Sequence, residues 1–330
     1  MRNTNMPSNY NLGFGTMLED MQQLNNIIRE DLNSDVILIR QISEHIINGG
    51  GKRIRPLLCL LCGKIAGFTD GTLLHKMAAM IEYIHTATLL HDDVVDESGL
   101  RRGYKTANAV FGNSASILVG DFIYTRAFQI MVESNSLRVL KIMADSTNKI
   151  SEGEVLQLLN IGRSDLSEAE YFNVIKYKTA TLFAAAATVA AIIAKSTPQI
   201  ETALTNYAVN LGNAFQIADD VLDYIGNSNN MGKNVGDDLQ EGKVTLPLIY
   251  LLQHGSNTEK NLIKHAIENP TQADIINIVS LINNSNAINY CQQIAKDFVK
   301  KSVNCLEIFP ESEYKAAMVE LAHSSINRIS

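Results

Sequence analysis

The stretch TATLFAAAATVAAIIA, Thr179–Ala194, decides the fold class of this chain. Alanine has the highest helix propensity, and its small side chain lets two helix backbones approach each other closely. The stretch holds no charged residue, yet it is shorter than the roughly 18 apolar residues expected of a membrane-spanning helix. It therefore predicts a buried helix that packs at close range against its neighbours.

The same helical pattern continues on both sides of this stretch. Prolines number only 6 in 330 residues, and no segment alternates with the period of a strand. We predict an all-α fold, a single-domain helical bundle over residues 1–330, in which 1–16 form a loosely ordered N-terminal segment. The predicted helices cover about 17–47, 56–67, 72–95, 113–134, 136–162, 167–195 and 199–226, followed by shorter ones.

Composition narrows the classes of function. The formal net charge is −7 and no long basic run is present, which argues against a nucleic-acid partner. The N-terminus lacks the apolar core of a secretory signal, and we expect no transmembrane segment, so the sequence favours a cytoplasmic protein. Cys59 and Cys62 form a CxxC pair in an apolar helical run, which is typical of core residues rather than of a zinc site.

Two acidic motifs with the same spacing point to a metal site. Residues i and i+4 of a helix lie on one face, so the first and last aspartates of each DDxxD motif are expected to hold the same ion. Carboxylates about 4 Å apart repel by about 4 kcal/mol at an effective dielectric of about 20, so such clusters require cations. An all-oxygen ligand set favours Mg²⁺ over Zn²⁺. The candidate ligands are Asp92, Asp93 and Asp96 in the first motif and Asp219, Asp220 and Asp223 in the second.

Basic and polar residues near these motifs are typical of a diphosphate site. Lys52 and Arg55 follow three glycines at an expected helix start, where backbone N–H groups attract anions. Lys178 interrupts an apolar helix and needs an anionic partner. For His85, two helical turns before Asp92, a core role and a functional role both remain open. The other candidates are Arg101, Arg102, Thr179, Gln216 and Lys233, whereas Asp237 and Asp238 are expected to form a solvated loop feature.

These segments together resemble the trans-polyprenyl diphosphate synthases. The matching stretches are GGGKRIRP, HTATLLHDDVVDESGLRRG, GDFIYTRAF, EGEVLQL, KTA, FQIADDVLDY and GKNVGDDLQEGKVTLPL, in this order between Gly49 and Pro247. The resemblance is closest to the bacterial members that make the C40 side chain of ubiquinone. It implies a helical prenyltransferase, usually a homodimer, that joins isopentenyl diphosphate to an allylic diphosphate such as farnesyl diphosphate.

The resemblance also implies a role for each candidate residue. Both acidic motifs would hold two to three Mg²⁺ ions against the allylic diphosphate. The residues implied in catalysis are Asp92, Asp96, Lys178 and Asp219. Those matching positions that bind isopentenyl diphosphate are Lys52, Arg55, His85 and Arg102. Those matching positions that face the allylic diphosphate, or the cation formed from it, are Arg101, Lys178, Thr179, Gln216 and Lys233.

Product length is expected to depend on residues beside the first motif. In this family the product grows along a tunnel, and large residues four and five positions before the first aspartate stop growth early. Here these positions are Thr88 and Ala87, which disfavours a C15 product. The predicted tunnel floor lies deeper, with Phe128, Met131 and Met143 as candidates. A C40 product rests mainly on overall similarity, and lengths from C20 to C50 are the alternatives.

Three other classes compete with this reading. A metal-dependent phosphohydrolase is suggested by the adjacent His91 and Asp92, but it leaves the second DDxxD motif unexplained. A terpene cyclase shares the ionisation chemistry but has no need of a second cationic pocket at Lys52 and Arg55. A non-catalytic subunit would be expected to have lost aspartates, and this chain keeps all six.

Overall fold

Helices form nearly all the regular structure of the described residues, which confirms the all-α prediction. The computed structural model describes residues 15–101, 103–225, 235–270, 273–327 and 329. The helices are α1 (Leu18–Asp31), α2 (Ile37–Asn48), α3 (Ile54–Ile65), α4 (Gly71–Val95), α5 (Ala107–Phe111), α6 (Asn113–Glu133), α7 (Leu137–Leu159), α8 (Glu168–Ile175), α9 (Thr181–Ile193), α10 (Pro198–Ile225), α11 (Asp237–Gln240), α12 (Leu246–His254), α13 (Asn257–Glu268), α14 (Ile275–Asn284), α15 (Ala287–Asn304) and α16 (Glu313–Ser324). Between α4 and α5, strands β1 (Leu100–Arg101) and β2 (Tyr104–Lys105) form a short antiparallel hairpin.

Helix α4 lies at the centre of the bundle. The side chain of Asp70 caps its N-terminus by accepting a hydrogen bond from the N–H of Leu73 at 3.2 Å. The 25-residue helix then packs along α6 and α3 and also contacts α1 and α9. Because residues on several of its faces are apolar and buried, α4 behaves as an interior helix rather than a surface one. Its C-terminal end carries the first acidic motif.

The N-terminal region departs from the predicted single helix over 17–47. The chain breaks between α1 and α2, where Oγ of Ser34 accepts a hydrogen bond from the N–H of Val36 at 3.2 Å. Asn, Ser and Asp side chains compete with backbone hydrogen bonds, and the sequence Asn33–Asp35 supplies all three. Gly15–Met17 form a 3-10 turn before α1. Residues 1–14 lie outside the described residues, so the loosely ordered segment predicted over 1–16 stays a prediction.

The predicted helix 167–195 is also wrong as one regular helix, because Lys176–Ala180 form a π-helical turn between α8 and α9. Two glycines make room for this π turn. A Cβ on Gly153 of α7 would lie 2.8 Å from the backbone nitrogen of Lys178. A Cβ on Gly212 of α10 would lie 2.7 Å from Cα of Ala180. The π turn is therefore in backbone contact with α7 on one side and α10 on the other.

The CxxC pair has the structural role predicted for it. Cys59 and Cys62 are fully buried in α3. Burial raises the pKa of the Cys59 thiol to about 12. A thiol this far from ionisation is neither a nucleophile nor a ready metal ligand, so both cysteines act as small core residues.

Within the described part of the chain, α6 is the one helix long and apolar enough to cross a membrane by length and composition. It packs along α4 inside the bundle, and 44% of its 18-residue apolar window is buried. These contacts identify α6 as a bundle helix with an apolar outer face.

We expect Gly153→Ala and Gly212→Ala each to lower the free energy of unfolding, since the added Cβ meets backbone atoms that cannot turn away. Overpacking of this kind costs about 1–3 kcal/mol. Gly71→Ala is the matched control, because it also lies in a helix but its Cβ would meet only the tip of the His75 ring at 3.4 Å. Thermal unfolding followed by circular dichroism compares the three variants. Wild-type Tm values for all three would contradict the close-packing explanation.

Candidate active site

The two acidic motifs lie at the C-terminal ends of α4 and α10. Asp92 and Asp93 occupy the last turn of α4, and Asp96 caps it. Asp219, Asp220 and Asp223 occupy the last two turns of α10. Carboxylates at a helix C-terminus face the negative end of the helix dipole. Each motif therefore needs cations close by.

Lys178 of the π turn lies between two acidic side chains. Its Nζ donates a hydrogen bond to Oε2 of Glu154 at 2.6 Å and lies 3.6 Å from Oδ2 of Asp92. Burial raises the pKa of Asp92 and of Glu154 above their ordinary values, although the charge of Lys178 acts in the opposite direction. One lysine thus serves two carboxyl groups, which leaves this end of α4 able to accept more positive charge.

Lys243, just before α12, serves the last aspartate of the same motif. Its Nζ donates hydrogen bonds to Oδ2 of Asp96 at 2.8 Å and to Oε2 of Glu241 at 2.6 Å. Burial alone would lower the pKa of Lys243, but the charges of Glu241 and Asp96 raise it above its ordinary value. The lysine therefore stays protonated at neutral pH and holds its segment against the end of α4.

Asp93 has a different partner from the other two aspartates of its motif. It is buried, and its Oδ1 accepts hydrogen bonds from Arg101, at 2.8 Å from Nε and 2.6 Å from Nη2. Neighbouring residues on a helix point about 100° apart, so Asp93 is turned away from the face shared by Asp92 and Asp96. The carboxylate of Asp93 therefore holds Arg101, and its role as a candidate metal ligand stays a prediction.

Asp220 of the second motif is buried within a hydrogen-bond network. Tyr171 donates its hydroxyl to Oδ2 at 2.6 Å, and Nε2 of Gln216 donates to Oδ1 at 2.8 Å. Oγ1 of Thr179 donates in turn to Oε1 of Gln216 at 2.7 Å. Burial raises the pKa of Asp220 to about 8, an effect that the charge of Asp238 increases and the two hydrogen bonds oppose. The network fixes the second motif against the π turn.

The other two aspartates of the second motif differ in exposure. Asp219 is exposed, whereas Asp223 is buried and its Oδ2 accepts a hydrogen bond from the N–H of Asp238 at 3.3 Å. The expectation that Asp237 and Asp238 form a solvated loop feature is wrong for Asp238. That residue is half-buried and lines the same cavity as Asp220.

One cavity brings the partners of both motifs together. Its lining includes Tyr171, Lys178, Thr179, Gln216, Asp220, Asp238 and Lys243. Because Lys178 also contacts Asp92 and Lys243 contacts Asp96, the first motif lies at the edge of this cavity. The two acidic helix ends and two lysines therefore belong to a single site.

The residues predicted to bind the second diphosphate are only partly described. An Nη1–Nε2 distance of 3.1 Å links Arg55 to His85, and the Arg55 guanidinium lies over the ring of Phe183, 4.7 Å from its centroid. Lys52 is exposed in the loop before α3. Arg102 and Lys233 lie outside the described residues, so their assignments stay predictions.

The candidates for chain length occupy two different environments. Ala87 is fully buried in α4 and Thr88, next to it, is half-buried. Met131 and Met143 are also buried, as a tunnel floor requires. Phe128 instead is 41% exposed on the outer face of α6. Within a single chain, Phe128 therefore lies at the surface rather than in the interior.

Sequence reasoning missed Glu154, Tyr171 and Lys243 as members of the site. Glu154 lies on a long helix with other charged residues, so nothing local separates it from a solvated position. Tyr171 has the spacing of an ordinary core aromatic. Lys243 offered a usable signal, because it follows three acidic residues in GDDLQEGK and such a lysine is positioned to bridge carboxylates.

The donor set of the site fits Mg²⁺ with a phosphate ligand. Among the described residues, no group of three or more His, Cys, Asp or Glu side chains is spaced to hold a metal ion alone. Asp92, Asp96 and Asp219 offer only carboxylate oxygens. Mg²⁺ is commonly held by one or two carboxylates together with waters and substrate phosphate oxygens. The site therefore suits a cation that arrives with, and is completed by, a diphosphate.

A helical bundle with two acidic helix ends around one lysine-lined cavity defines a class of diphosphate-using enzymes. The model of the polyprenyl synthetase family matches residues 36–282, and the chain belongs to this family. It is therefore a prenyltransferase, and the phosphohydrolase alternative is not favoured.

Individual relatives are similar in sequence to this chain along nearly its whole length. Octaprenyl diphosphate synthase of Haemophilus influenzae is 51% identical over 310 residues, which are 94% of each chain. Octaprenyl diphosphate synthase of Escherichia coli is 47% identical over 311 residues, 94% of this chain and 96% of the relative. A crystal structure of polyprenyl synthase from Caulobacter crescentus, complexed with calcium and isoprenyl diphosphate, is 42% identical and superposes with a TM-score of 0.92, covering 96% and 97% of the two chains.

We expect the stability of the metal-free protein to fall as pH rises, and Asp220→Asn to reduce this dependence. The pKa of Asp220 is raised from 3.8 to about 8 in the folded chain. Between these values the folded state binds the extra proton, so the stabilisation is lost as pH rises toward 8. One such group contributes on the order of 1 kcal/mol per pH unit.

Thermal unfolding in EDTA between about pH 5 and pH 8.5 measures this slope. Asp145→Asn is the control, because Asp145 is exposed and forms an ion pair with Lys141 one helical turn away. The explanation is wrong if the Asp220→Asn and Asp145→Asn proteins keep equal slopes.

Proposed function

We propose that this chain extends an allylic diphosphate, such as farnesyl diphosphate, by repeated condensation with isopentenyl diphosphate to octaprenyl diphosphate. The observation that carries the proposal is the single cavity on which both acidic motifs converge. Its lysines contact Asp92 and Asp96 of one motif and share the lining with Asp220 of the other. Similarity to two octaprenyl diphosphate synthases supports the C40 length and a role in quinone side-chain synthesis.

Mg²⁺ is the proposed cofactor, in two or three ions per site. Asp92 and Asp96 would hold it from α4, and Asp219 and Asp223 from α10. When bound, Mg²⁺ neutralises the negative charge that develops on a departing diphosphate. The calcium and isoprenyl diphosphate of the Caulobacter crescentus complex support a divalent cation and a diphosphate as partners.

The residues of the chain supply the remaining stabilisation of the leaving group. Lys178 and Lys243 already face the cavity and carry positive charge held by neighbouring carboxylates. Donors fixed before reaction stabilise charge as it develops without the cost of reorganising solvent. Arg101 is held by Asp93 and lies close enough for its charge to act on Asp92. Breaking the allylic C–O bond is therefore assisted by three cations from three chain segments.

The allylic carbon that loses the diphosphate must be protected until it is attacked. Thr179 and Gln216 are fixed by their mutual hydrogen bond and present polar oxygens next to the cavity. Lys52, Arg55 and His85 would hold isopentenyl diphosphate, whose double bond attacks the cation. The attack leaves a positive charge on the isopentenyl unit. A proton is then lost from the carbon next to that charge, which forms the new double bond, and the released diphosphate is the proposed base. Exclusion of water by the bundle prevents quenching of the cation.

A homodimer is the proposed assembly, with a second copy covering the outer face of α6. This helix exposes large apolar side chains, including Ile117, Leu118, Phe128 and Val132, of which Leu118 is 67% and Val132 64% exposed. Contiguous exposed apolar surface of this kind is typical of an interface between subunits. The exposure of Phe128 fits this face better than a tunnel floor.

Product analysis tests the proposed reaction. The protein is incubated with Mg²⁺, farnesyl diphosphate and radiolabelled isopentenyl diphosphate, and the dephosphorylated products are separated by length. We expect mainly C40 product, abolished by EDTA. Asp92→Asn and Asp219→Asn should lower kcat roughly 100-fold or more, because each removes a carboxylate proposed to hold Mg²⁺ at the reacting diphosphate. Asp145→Asn, an exposed carboxylate outside the site, serves as the control.

A product that stops at C20, after one condensation with the C15 primer, would contradict the long-chain proposal. Free phosphate without elongation would contradict the proposed reaction altogether.

Shortening the buried methionines should lengthen the product. We expect Met131→Ala or Met143→Ala to shift the distribution beyond C40, because a smaller side chain leaves room for further isoprene units. Leu137→Ala is the matched control, because Leu137 is 84% exposed at the start of α7. Chromatography of the dephosphorylated products measures the shift. An unchanged distribution in a methionine variant removes that residue from the tunnel floor.

A further inference from the structure

A buried ion pair joins the loop before α3 to the middle of α4. Nη1 of Arg53 donates a hydrogen bond to Oε1 of Glu82. The Arg53 side chain is only 14% exposed and that of Glu82 only 9%. Charges this far from water require a partner, so neither residue is an ordinary member of a solvated surface. None of the roles proposed above uses this pair.

The backbone at Arg53 is strained. Its φ of 48° and ψ of 36° lie in the left-handed region. This conformation is unfavourable for a residue with a Cβ atom but not for glycine. Three glycines stand immediately before Lys52, yet the left-handed position just before α3 is an arginine. Strain of this kind persists where surrounding contacts compensate for it, and here the compensating contact is the pair with Glu82.

The strained residue lies between two predicted ligands of isopentenyl diphosphate. Lys52 precedes it, and Arg55 follows two residues later. Arg55 contacts His85, which lies one helical turn after Glu82 on the same face of α4. The loop and the first turn of α3 are therefore joined to α4 at two successive turns. Arg53 contacts Glu82, and Arg55 contacts His85.

The same face of α4 anchors the second basic segment. A cavity beside this face is lined by Glu82 and Arg53 and also by Asp93 and Arg101. Glu82 and Asp93 are eleven residues apart, about 16 Å along the helix at 1.5 Å per residue. Each carboxylate holds one arginine from a flanking segment. Asp93 holds Arg101 on this face, and Glu82 holds Arg53 of the glycine-rich loop in the same way.

We propose that Arg53 and Glu82 are positioning residues for the isopentenyl diphosphate site. Their ion pair fixes the left-handed turn of the glycine-rich loop, and this turn sets the direction in which Lys52 and Arg55 present their charges. Without the pair, the loop relaxes and these two side chains lose their alignment on the diphosphate. This inference rests on the proposed function, because it concerns the second substrate of that reaction.

Steady-state kinetics of Glu82→Gln test the proposal. This variant keeps the shape of residue 82 and removes the charge that holds Arg53. We expect KM for isopentenyl diphosphate to rise about 10-fold or more, since misplacement of binding groups by about 1 Å has effects of this size. KM for farnesyl diphosphate and kcat at saturation should stay within about twofold, because the allylic site is held by other contacts.

The double variant Arg53→Met/Glu82→Met separates positioning from stability. Replacing a buried ion pair with apolar side chains is often neutral or stabilising, so this protein is expected to fold even where Glu82→Gln unfolds. It should show the same selective rise in KM for isopentenyl diphosphate. Asp20→Asn is the matched control, because Asp20 forms a part-buried ion pair with Lys64 and His75 that joins α1, α3 and α4 away from the loop. It should lower Tm and leave both KM values unchanged.

Provided that the wild-type protein elongates normally, two results would overturn the inference. One is an unchanged KM for isopentenyl diphosphate in the folded double variant. The other is an equal rise in both KM values, which would indicate general loosening of the bundle. Absence of elongation in the wild-type protein, assayed in parallel, would overturn the proposed function and this inference with it.

Discussion

The close approach of the π turn to two neighbouring helices is the constraint on which the site depends. Gly153 and Gly212 let the backbone at Lys178 and Ala180 lie where no Cβ would fit. As a result Lys178 reaches Glu154 of α7 and Asp92 of α4, while Thr179 bonds to Gln216 of α10. A regular α-helix through residues 176–180 would rotate these side chains to different directions. Three helices therefore share one small polar volume because two of them carry glycine at the point of contact.

Charge compensation in this volume comes from separate parts of the chain. The first acidic motif is neutralised by Lys178 from the π turn, Lys243 from the segment before α12 and Arg101 from the hairpin. Each of these cations is itself held by a carboxylate, so its direction is fixed before any ligand arrives. Such preorganisation costs stability, since several buried charges lose hydration. Cations fixed in this way suit a site that must stabilise a large negative charge. A diphosphate leaving group carries such a charge.

The fold was largely predictable from sequence, because long apolar segments at helical spacing determine α4, α6, α7 and α10. The break at Asn33–Asp35 had a readable signal in three residues that compete for backbone hydrogen bonds. The π turn had none, since it depends on glycines more than twenty residues away in the chain. The acidic motifs were found by their spacing. The 100° rotation between neighbouring helix residues already separates Asp93 from Asp92, whereas its pairing with Arg101 needed the hairpin to be seen.

The two DDxxD motifs share their spacing but not their electrostatic state. In the first, Asp92 and Asp96 lie at the edge of the cavity, each within reach of a lysine. In the second, Asp220 is buried, accepts hydrogen bonds from neutral donors and has its pKa raised to about 8. Spacing alone would give both motifs the same role. Burial instead separates Asp220, which gains a proton near neutral pH, from Asp92 and Asp96, which lie near lysines at the edge of the cavity. Each motif thus combines one aspartate held inside the bundle, Asp93 or Asp220, with others that are proposed to hold cations.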